Sequence, residues 1–371
     1  MDTNFAAVQA NFTLNSLNTI SPSNSEAFIF SPLSLIAALS MCYLGAGGRT
    51  AEQFKNVLNP NQDDSEYFSA IERSLIAMEK SQSNVTLISA NKLFIQNGLD
   101  LNYTFLAGID KYFHGHLQEL NFSDNVKSVN TINNYISNVT HNKINKLLSP
   151  DSVGRGTRLV LANAIYFKGN WKYAFNENAT QKAVFSSNTS NQRKVDMMYL
   201  SRKLLYSENF MFHMVKLVYN DDKTSMVLLV PKHKFGLSDG LRTYNSSMFS
   251  DMLGDMTEED IRLSMPKFKT ESTHDLEKLV KAFGITDAFS DKADFSGMSN
   301  KDGLMISKIV QKAFVEVNEK GTEAAVATAV LMVRMSMPMA SKSPIIVKAD
   351  HPFLYFILGA DNGLLFNGLY A

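Results

Sequence analysis

Covalent or metal chemistry in this chain would have to rest on seven histidines, one cysteine and a scatter of serines and carboxylates. Their spacing does not organise them for it. His114, His116, His141, His213, His233, His274 and His351 contain no His-Glu-x-x-His zinc signature. His114-Gly115-His116 offers two imidazoles but specifies no further ligand nearby, so a plain surface or core pair is expected rather than a metal site. No Gly-x-Ser-x-Gly elbow presents a nucleophile. Gly45-Ala46-Gly47-Gly48-Arg49-Thr50 superficially resembles a phosphate loop, but it lacks the lysine and follows a helix instead of a strand. A helix C-cap and a tight turn are expected there. Cys42 is the only cysteine, which excludes an intrachain disulfide and a multi-cysteine metal centre.

The unusual stretch is Gly321-Thr322-Glu323-Ala324-Ala325-Val326-Ala327-Thr328-Ala329-Val330, followed by Leu331-Met332-Val333-Arg334-Met335-Ser336-Met337-Pro338-Met339. Surface loops are usually polar and rich in Gly, Pro or Asn. This one is composed like a strand without a sheet, and every N–H before Pro338 is free to join a ladder. Methionine is ordinarily core filler. Met332, Met335, Met337 and Met339 cluster in this stretch, where a core explanation is poor.

The elements that must position such a segment are legible in part. Ser31 suits an N-cap and Pro32 a first helical position, and the apolar helix that follows should stop at Gly45–Gly48. Thr50-Ala51-Glu52-Gln53 reads as a capping box opening the next helix. Arg158–Phe167 and Ser225–Val230 read as buried strands, and His274–Phe283 as a helix. Ala313, Val315 and Val317 alternate with Phe314, Glu316 and Asn318 at strand periodicity. Ile345–Val347 and Phe353–Leu358 add two more buried strands.

The 371 residues carry 36 Lys and Arg against 36 Asp and Glu. Zero net charge removes the general electrostatic argument for nucleic acid or an acidic membrane. No apolar run reaches the roughly 18 residues of a membrane span. Repeats, heptads and charge blocks are absent, and the irregular alternation of helix and strand signals suggests one mixed α/β domain over 1–371. Met1-Asp2-Thr3-Asn4 begins neither a basic region nor an apolar core, so a cytoplasmic location is expected, with signal-independent export as the alternative. Asn-x-Ser/Thr triplets at Asn11, Asn84, Asn102, Asn121, Asn138, Asn178, Asn188 and Asn245 are the chance product of an Asn- and Ser-rich chain on this reading.

In order and spacing the chain resembles the serpin family of protease inhibitors. The resemblance rests on Phe30-Ser31-Pro32-Leu33-Ser34 with Leu44-Gly45-Ala46, and on Asn91-Lys92-Leu93-Phe94. It continues through Leu161-Ala162-Asn163-Ala164-Ile165-Tyr166-Phe167-Lys168-Gly169-Asn170-Trp171, Pro266-Lys267-Phe268 and Asp294-Phe295-Ser296-Gly297-Met298. Glu316-Val317-Asn318-Glu319-Lys320-Gly321-Thr322-Glu323-Ala324-Ala325, Asp350-His351-Pro352-Phe353-Leu354 and Leu365-Phe366-Asn367-Gly368 complete it. It implies a mixed α/β (α+β) fold with three β-sheets, about nine helices and an exposed reactive-centre loop at about 320–343. Gln311 stands where many members have a histidine under the central sheet, and the usual closing proline is missing after Leu369-Tyr370-Ala371. Ser31, Ser34, Asn163, Trp171 and Gln311 fall in the region the resemblance implies for sheet opening.

The implied activity is inhibition, not catalysis. A serine protease attacks a carbonyl of the loop and forms an acyl-enzyme. The freed loop then enters the central sheet as a strand; serpin loop insertion is itself a standing example of strand addition and strain release. The hinge is Glu319, Gly321, Thr322, Glu323, Ala324, Ala325, Val326, Ala327 and Thr328. Alternate residues Thr322, Ala324, Val326 and Thr328 would face the core, and none is charged. Val326 is bulkier than the family's usual residue there. Counting Glu319 as the first position, the family's spacing places the residue before the cut at the seventeenth, which is Met335, and the bond at Met335–Ser336. Met fits the hydrophobic primary pocket of a chymotrypsin- or elastase-like enzyme. A one-residue shift puts Arg334 before the cut and favours a trypsin-like one. A non-inhibitory chaperone or carrier is the other alternative. The expected partner is thus a target serine protease in a covalent 1:1 complex with a monomer. No cofactor is expected, and the balanced charges of Phe68–Lys80 predict no heparin site.

Overall fold

The computed structural model describes residues 3–20, 26–79, 85–301, 303–322 and 343–371. Its nine described helices are α1 (Thr3–Ile20), α2 (Pro32–Leu44), α3 (Gly48–Leu58), α4 (Asp64–Glu79), α5 (Tyr103–Phe113), α6 (Asn125–Val139), α7 (Leu237–Thr243), α8 (Ser246–Gly254) and α9 (Glu277–Ala282). The strands are β1 (Phe28–Phe30), β2 (Val85–Gln96), β3 (Leu117–Leu120), β4 (Leu159–Asn170), β5 (Gln181–Ser186), β6 (Gln192–Glu208), β7 (Phe212–Val218) and β8 (Ser225–Pro231). They continue with β9 (Thr257–Pro266), β10 (Phe268–Asp275), β11 (Ile306–Asn318), β12 (Gly321–Thr322), β13 (Ile345–Lys348), β14 (Phe353–Leu358) and β15 (Leu364–Tyr370).

These strands form two layers. One sheet has the order β10-β11-β12-β4-β2-β3. The other runs β1-β15-β14-β8-β7-β6-β9-β13, with β5 paired to β6. The two smaller sheets expected from the resemblance meet in the 17-residue β6, which pairs with β5 and β9 along its length and with β7 over Leu205–Glu208.

The strand β4 is almost continuously apolar because both its faces are covered. Leu159, Leu161, Ile165 and Phe167 belong to the main core, whereas Val160, Ala162 and Ala164 belong to a second cluster with Val129, Ile132 and Ile136 of α6. The helix α2 is buried from Pro32 to Tyr43 and forms the floor beneath the six-stranded sheet. It starts as its sequence dictates: Ser31 caps it by accepting from the Ser34 N–H at 3.4 Å, and Pro32 takes the first turn. It ends at Gly45, where a side chain would collide with Met298.

Three local expectations shift. The helix α3 begins at Gly48 after an N-cap at Gly47, so Thr50 and Gln53 lie inside it and form no capping box. Their side chains tie α3 to a distant segment instead: Thr50 Oγ1 accepts from the Asp294 N–H, and Gln53 Oε1 from those of Thr286 and Asp287. His274 and Asp275 belong to β10, because the ladder to Gln311 and Val310 of β11 claims their backbone. The helix there covers only Glu277–Ala282. β13 is an edge strand in which Val347 alone is buried, so its apolar sequence reflects one covered face and not two.

Candidate functional site: a strand slot in the six-stranded sheet

Two long neighbours, β4 and β11, run parallel and pair from Leu159 with Ile306 up to Tyr166 with Phe314. Beyond that point they part, and β12 lies between them. Gly321 and Thr322 pair antiparallel with Asn318 and Val317 on one side, and with Asn170 and Gly169 on the other. The first residues of the loop are therefore already the start of a middle strand.

A tight turn sends the chain back into the sheet. The Asn318 Oδ1 accepts from the N–H groups of Lys320 (3.0 Å) and Gly321 (3.2 Å), a side chain closing its own turn. Gly321 has φ +147°, and a Cβ there would overlap the Gly169 carbonyl oxygen, so only glycine fits. Trp171 braces the turn twice: its Nε1–H donates to the Asn318 carbonyl (3.0 Å) and its backbone N–H to that of Lys320 (2.8 Å). Its ring stacks on Tyr219 with centroids 4.5 Å apart. The Tyr219 hydroxyl in turn meets Thr322 Oγ1 at 2.9 Å, with both residues fully buried. Burial pushes the Tyr219 phenol well above its ordinary pKa, so it stays neutral.

Glu319 locks the outer side of the turn. It accepts from Lys267 Nζ (3.0 Å) and Thr180 Oγ1 (2.8 Å), and its side chain is 8% exposed. Burial opposes its ionisation, but its own backbone N–H, Lys267 and Thr180 outweigh that and hold the carboxyl below the usual glutamate range.

Lower in the sheet, four of the five residues assigned to sheet opening come together beneath β4 and β11. Gln311 clasps Ser31: its Oε1 accepts from the Ser31 N–H (2.7 Å) and its Nε2 donates to the Ser31 carbonyl (2.9 Å). Ser31 Oγ donates to the Leu365 carbonyl (2.7 Å). Asn163 Nδ2 donates to Ser34 Oγ (2.6 Å) and to Asn91 Oδ1, and Ser34 Oγ donates to that same Asn91 oxygen (2.7 Å). Trp171 is not part of this group; it follows the last residue of β4 and sits against the turn that leads into β12. Glu323, Ala324, Ala325, Val326, Ala327 and Thr328, together with Arg334, Met335 and Ser336, lie outside the described residues.

Sequence reasoning missed Tyr219 and Thr180 as site residues, and it gave no role to Asn91. Nothing local marks them, since the bonds that give them a role reach partners 57 or more positions away. Among the described residues no group of three or more His, Cys, Asp or Glu is placed to hold a metal. What the arrangement offers is a two-residue strand start with ladder partners on both sides, above a stretch in which β4 and β11 pair directly.

Comparison with known proteins agrees with this geometry. The family profile Serpin (serine protease inhibitor) matches residues 7–371. Serpin B6 of Pongo abelii is 38% identical over 375 residues, covering 99% of this chain and 98% of the relative. Leukocyte elastase inhibitor of Xenopus laevis is 33% identical over 380 residues, covering 99% of each. The crystal structure of uncleaved ovalbumin superposes with a TM-score of 0.88 at 26% identity, covering 98% of both chains. A family match over residues 7–371, in a fold whose short β12 lies between two parallel strands, places this chain in the serpin family of serine protease inhibitors.

Proposed function

We propose that the protein is a suicide-substrate inhibitor of serine proteases with a hydrophobic primary pocket, cleaved at Met335–Ser336. The observation that carries this reading is β12, two residues of loop already paired on both sides in the slot between β4 and β11. After the protease serine attacks the Met335 carbonyl, the peptide N–H of Ser336 leaves as the amine and Met335 stays esterified to the enzyme. The loop, no longer anchored at its far end, continues β12 down the slot. Below Tyr166 and Phe314 each residue added replaces direct β4–β11 pairing with antiparallel ladder bonds to both strands, and the acyl-enzyme is pulled along. Distortion of the oxyanion hole then slows hydrolysis of the ester. Inhibition is a race between insertion and deacylation.

The hinge composition suits this race. Thr322 is fully buried against Tyr219, and in an inserted strand the uncharged Ala324, Val326 and Thr328 would share its face. A monomer meeting one protease in a covalent 1:1 complex follows from the mechanism. A reducing compartment such as the cytoplasm suits a chain whose only cysteine, Cys42, is buried in α2 with its thiol pKa pushed up by desolvation.

Incubation with chymotrypsin, pancreatic elastase and trypsin, followed by denaturing electrophoresis and mass spectrometry, tests the reading. A stable chymotrypsin adduct and a released peptide beginning at Ser336 support it. An adduct with trypsin alone and a peptide beginning at Met335 move the bond to Arg334. Clean cleavage without adduct by all three enzymes refutes inhibition and leaves the chaperone or carrier reading.

A further inference from the structure

At the foot of the same slot, where β4 and β11 begin, a pocket of about 450 Å³ opens to solvent. Asp151 and Thr157 contribute from the segment before β4, and Ile306 and Ser307 from the start of β11. Glu277 of α9 and Phe289 of the single-turn helix Asp287–Phe289 complete the wall. Its two carboxylates differ. Glu277 is paired with Lys281 one helical turn on, at 2.6 Å. Asp151 is exposed and has no ion-pair partner among the described residues. The slot is weakly closed here: the Arg158 N–H donates to Ser307 Oγ (2.9 Å), and the β4–β11 register slips between Ile306 and Lys308.

The position of this pocket can be counted from the hinge. Thr322 lies opposite Gly169 of β4. If the loop extends β12 in register, each further residue meets the preceding residue of β4. Thr328 then meets Asn163, Met332 meets Leu159, and Arg334 meets Thr157, which lines the pocket. Alternate residues share a face, so Arg334 is on the core-facing side with Thr322. From Ala324 to Ser336 it is the only charged residue.

We propose that this pocket docks Arg334 after cleavage, with the guanidinium on the Asp151 carboxylate and the aliphatic stem along Ile306 and Phe289. This inference rests on the insertion reading above. Burying an arginine mid-sheet would oppose insertion, but at this position the head group reaches an open mouth and an unpaired acid while the stem covers apolar surface. Arg334 thereby anchors the end of the new strand at the pole opposite the hinge, next to the residue esterified to the protease. Its charge serves the sheet, not the protease's primary pocket.

The test is a double-mutant cycle on the full chain. Wild type, Asp151→Asn, Arg334→Gln and the double variant are each nicked at Met335–Ser336, with the bond verified by mass, and unfolded in guanidinium alongside their uncleaved forms. Each single variant is expected to raise the unfolding equilibrium of the cleaved form about three-fold, the size of an exposed-to-half-buried ion pair, and the double variant no further. The uncleaved forms should coincide. Additive effects, or equal effects before and after cleavage, overturn the pocket assignment while insertion stands. A cleaved wild type no more resistant than the uncleaved one overturns insertion, and this inference with it.

Discussion

Asn163 and Gln311 stand opposite one another across the parallel pair β4–β11, yet each is bonded to the first turn of α2 instead of to the other. Gln311 holds Ser31, and Asn163 holds Ser34. At this height the two paired strands are thus also fastened to the helix below them. Asn163 Oδ1 is buried without a partner among the described residues, a deficit worth about 1–3 kcal/mol.

In-register extension of β12 brings Thr328 between these two residues, with its hydroxyl on the core-facing side. It can donate to the orphan Asn163 oxygen. Thr328→Val, nearly isosteric but without the donor, should lower the yield of covalent complex per inhibitor cleaved and leave the urea midpoint of the uncleaved protein unchanged. The ratio of adduct to cleaved inhibitor on denaturing gels measures this. An unchanged ratio would show that the oxygen is satisfied another way.

Thr322 is fully buried against Tyr219. Thr322→Arg replaces a neutral buried hydrogen bond with a charge that has no counter-ion, within β12, where a buried uncompensated charge costs several kcal/mol, about 3–5 by analogy with a broken buried ion pair. The expected outcome is conversion of inhibitor into substrate, with cleavage at the same bond and little or no adduct. Trapping at the original stoichiometry would contradict insertion at the hinge.

Gly321 combines φ +147° with backbone of β4 pressed against it. Gly321→Ala should expel β12 from the slot and destabilise the uncleaved protein by about 1–3 kcal/mol. Urea unfolding reads the loss. Hydrogen exchange at Trp171 and Phe175, whose N–H groups bond to the Lys320 and Glu319 carbonyls, reads the local opening.

Glu319 has a folded pKa below the roughly 4.3 of an unfolded glutamate. The stability it contributes is therefore fully present above that value and is lost as pH falls through the folded pKa. The gap in urea midpoint between wild type and Glu319→Gln should be widest near neutrality and close only in the acid range. A gap that already closes between pH 8 and 6 would assign it to another group.

Much of this arrangement is readable without coordinates where the cause is local. Ser31-Pro32 starts α2 because a side-chain cap and a fixed proline φ act within one turn. The covered strand β4 shows as an unbroken apolar run because both faces need apolar side chains. Where a distant partner competes, local signals mislead: Thr50 and Gln53 reach across to 286–294 instead of capping, and His274 follows its ladder into β10 instead of starting a helix.

The same division governs the site. By itself the sequence determined a run of small residues from Ala324 to Thr328 with no charge, the glycine at 321 and the polar residues at 31, 34, 163 and 311, since these depend on side-chain size, charge and spacing along the chain. Only the tertiary structure decided that β4 and β11 part beyond Tyr166 and Phe314, that Tyr219 and Trp171 brace the opening, and that a pocket lined by the exposed Asp151 lies at the other end. The spacing of two strands about 150 residues apart in sequence follows from what packs on both faces of the sheet, and no local rule encodes that.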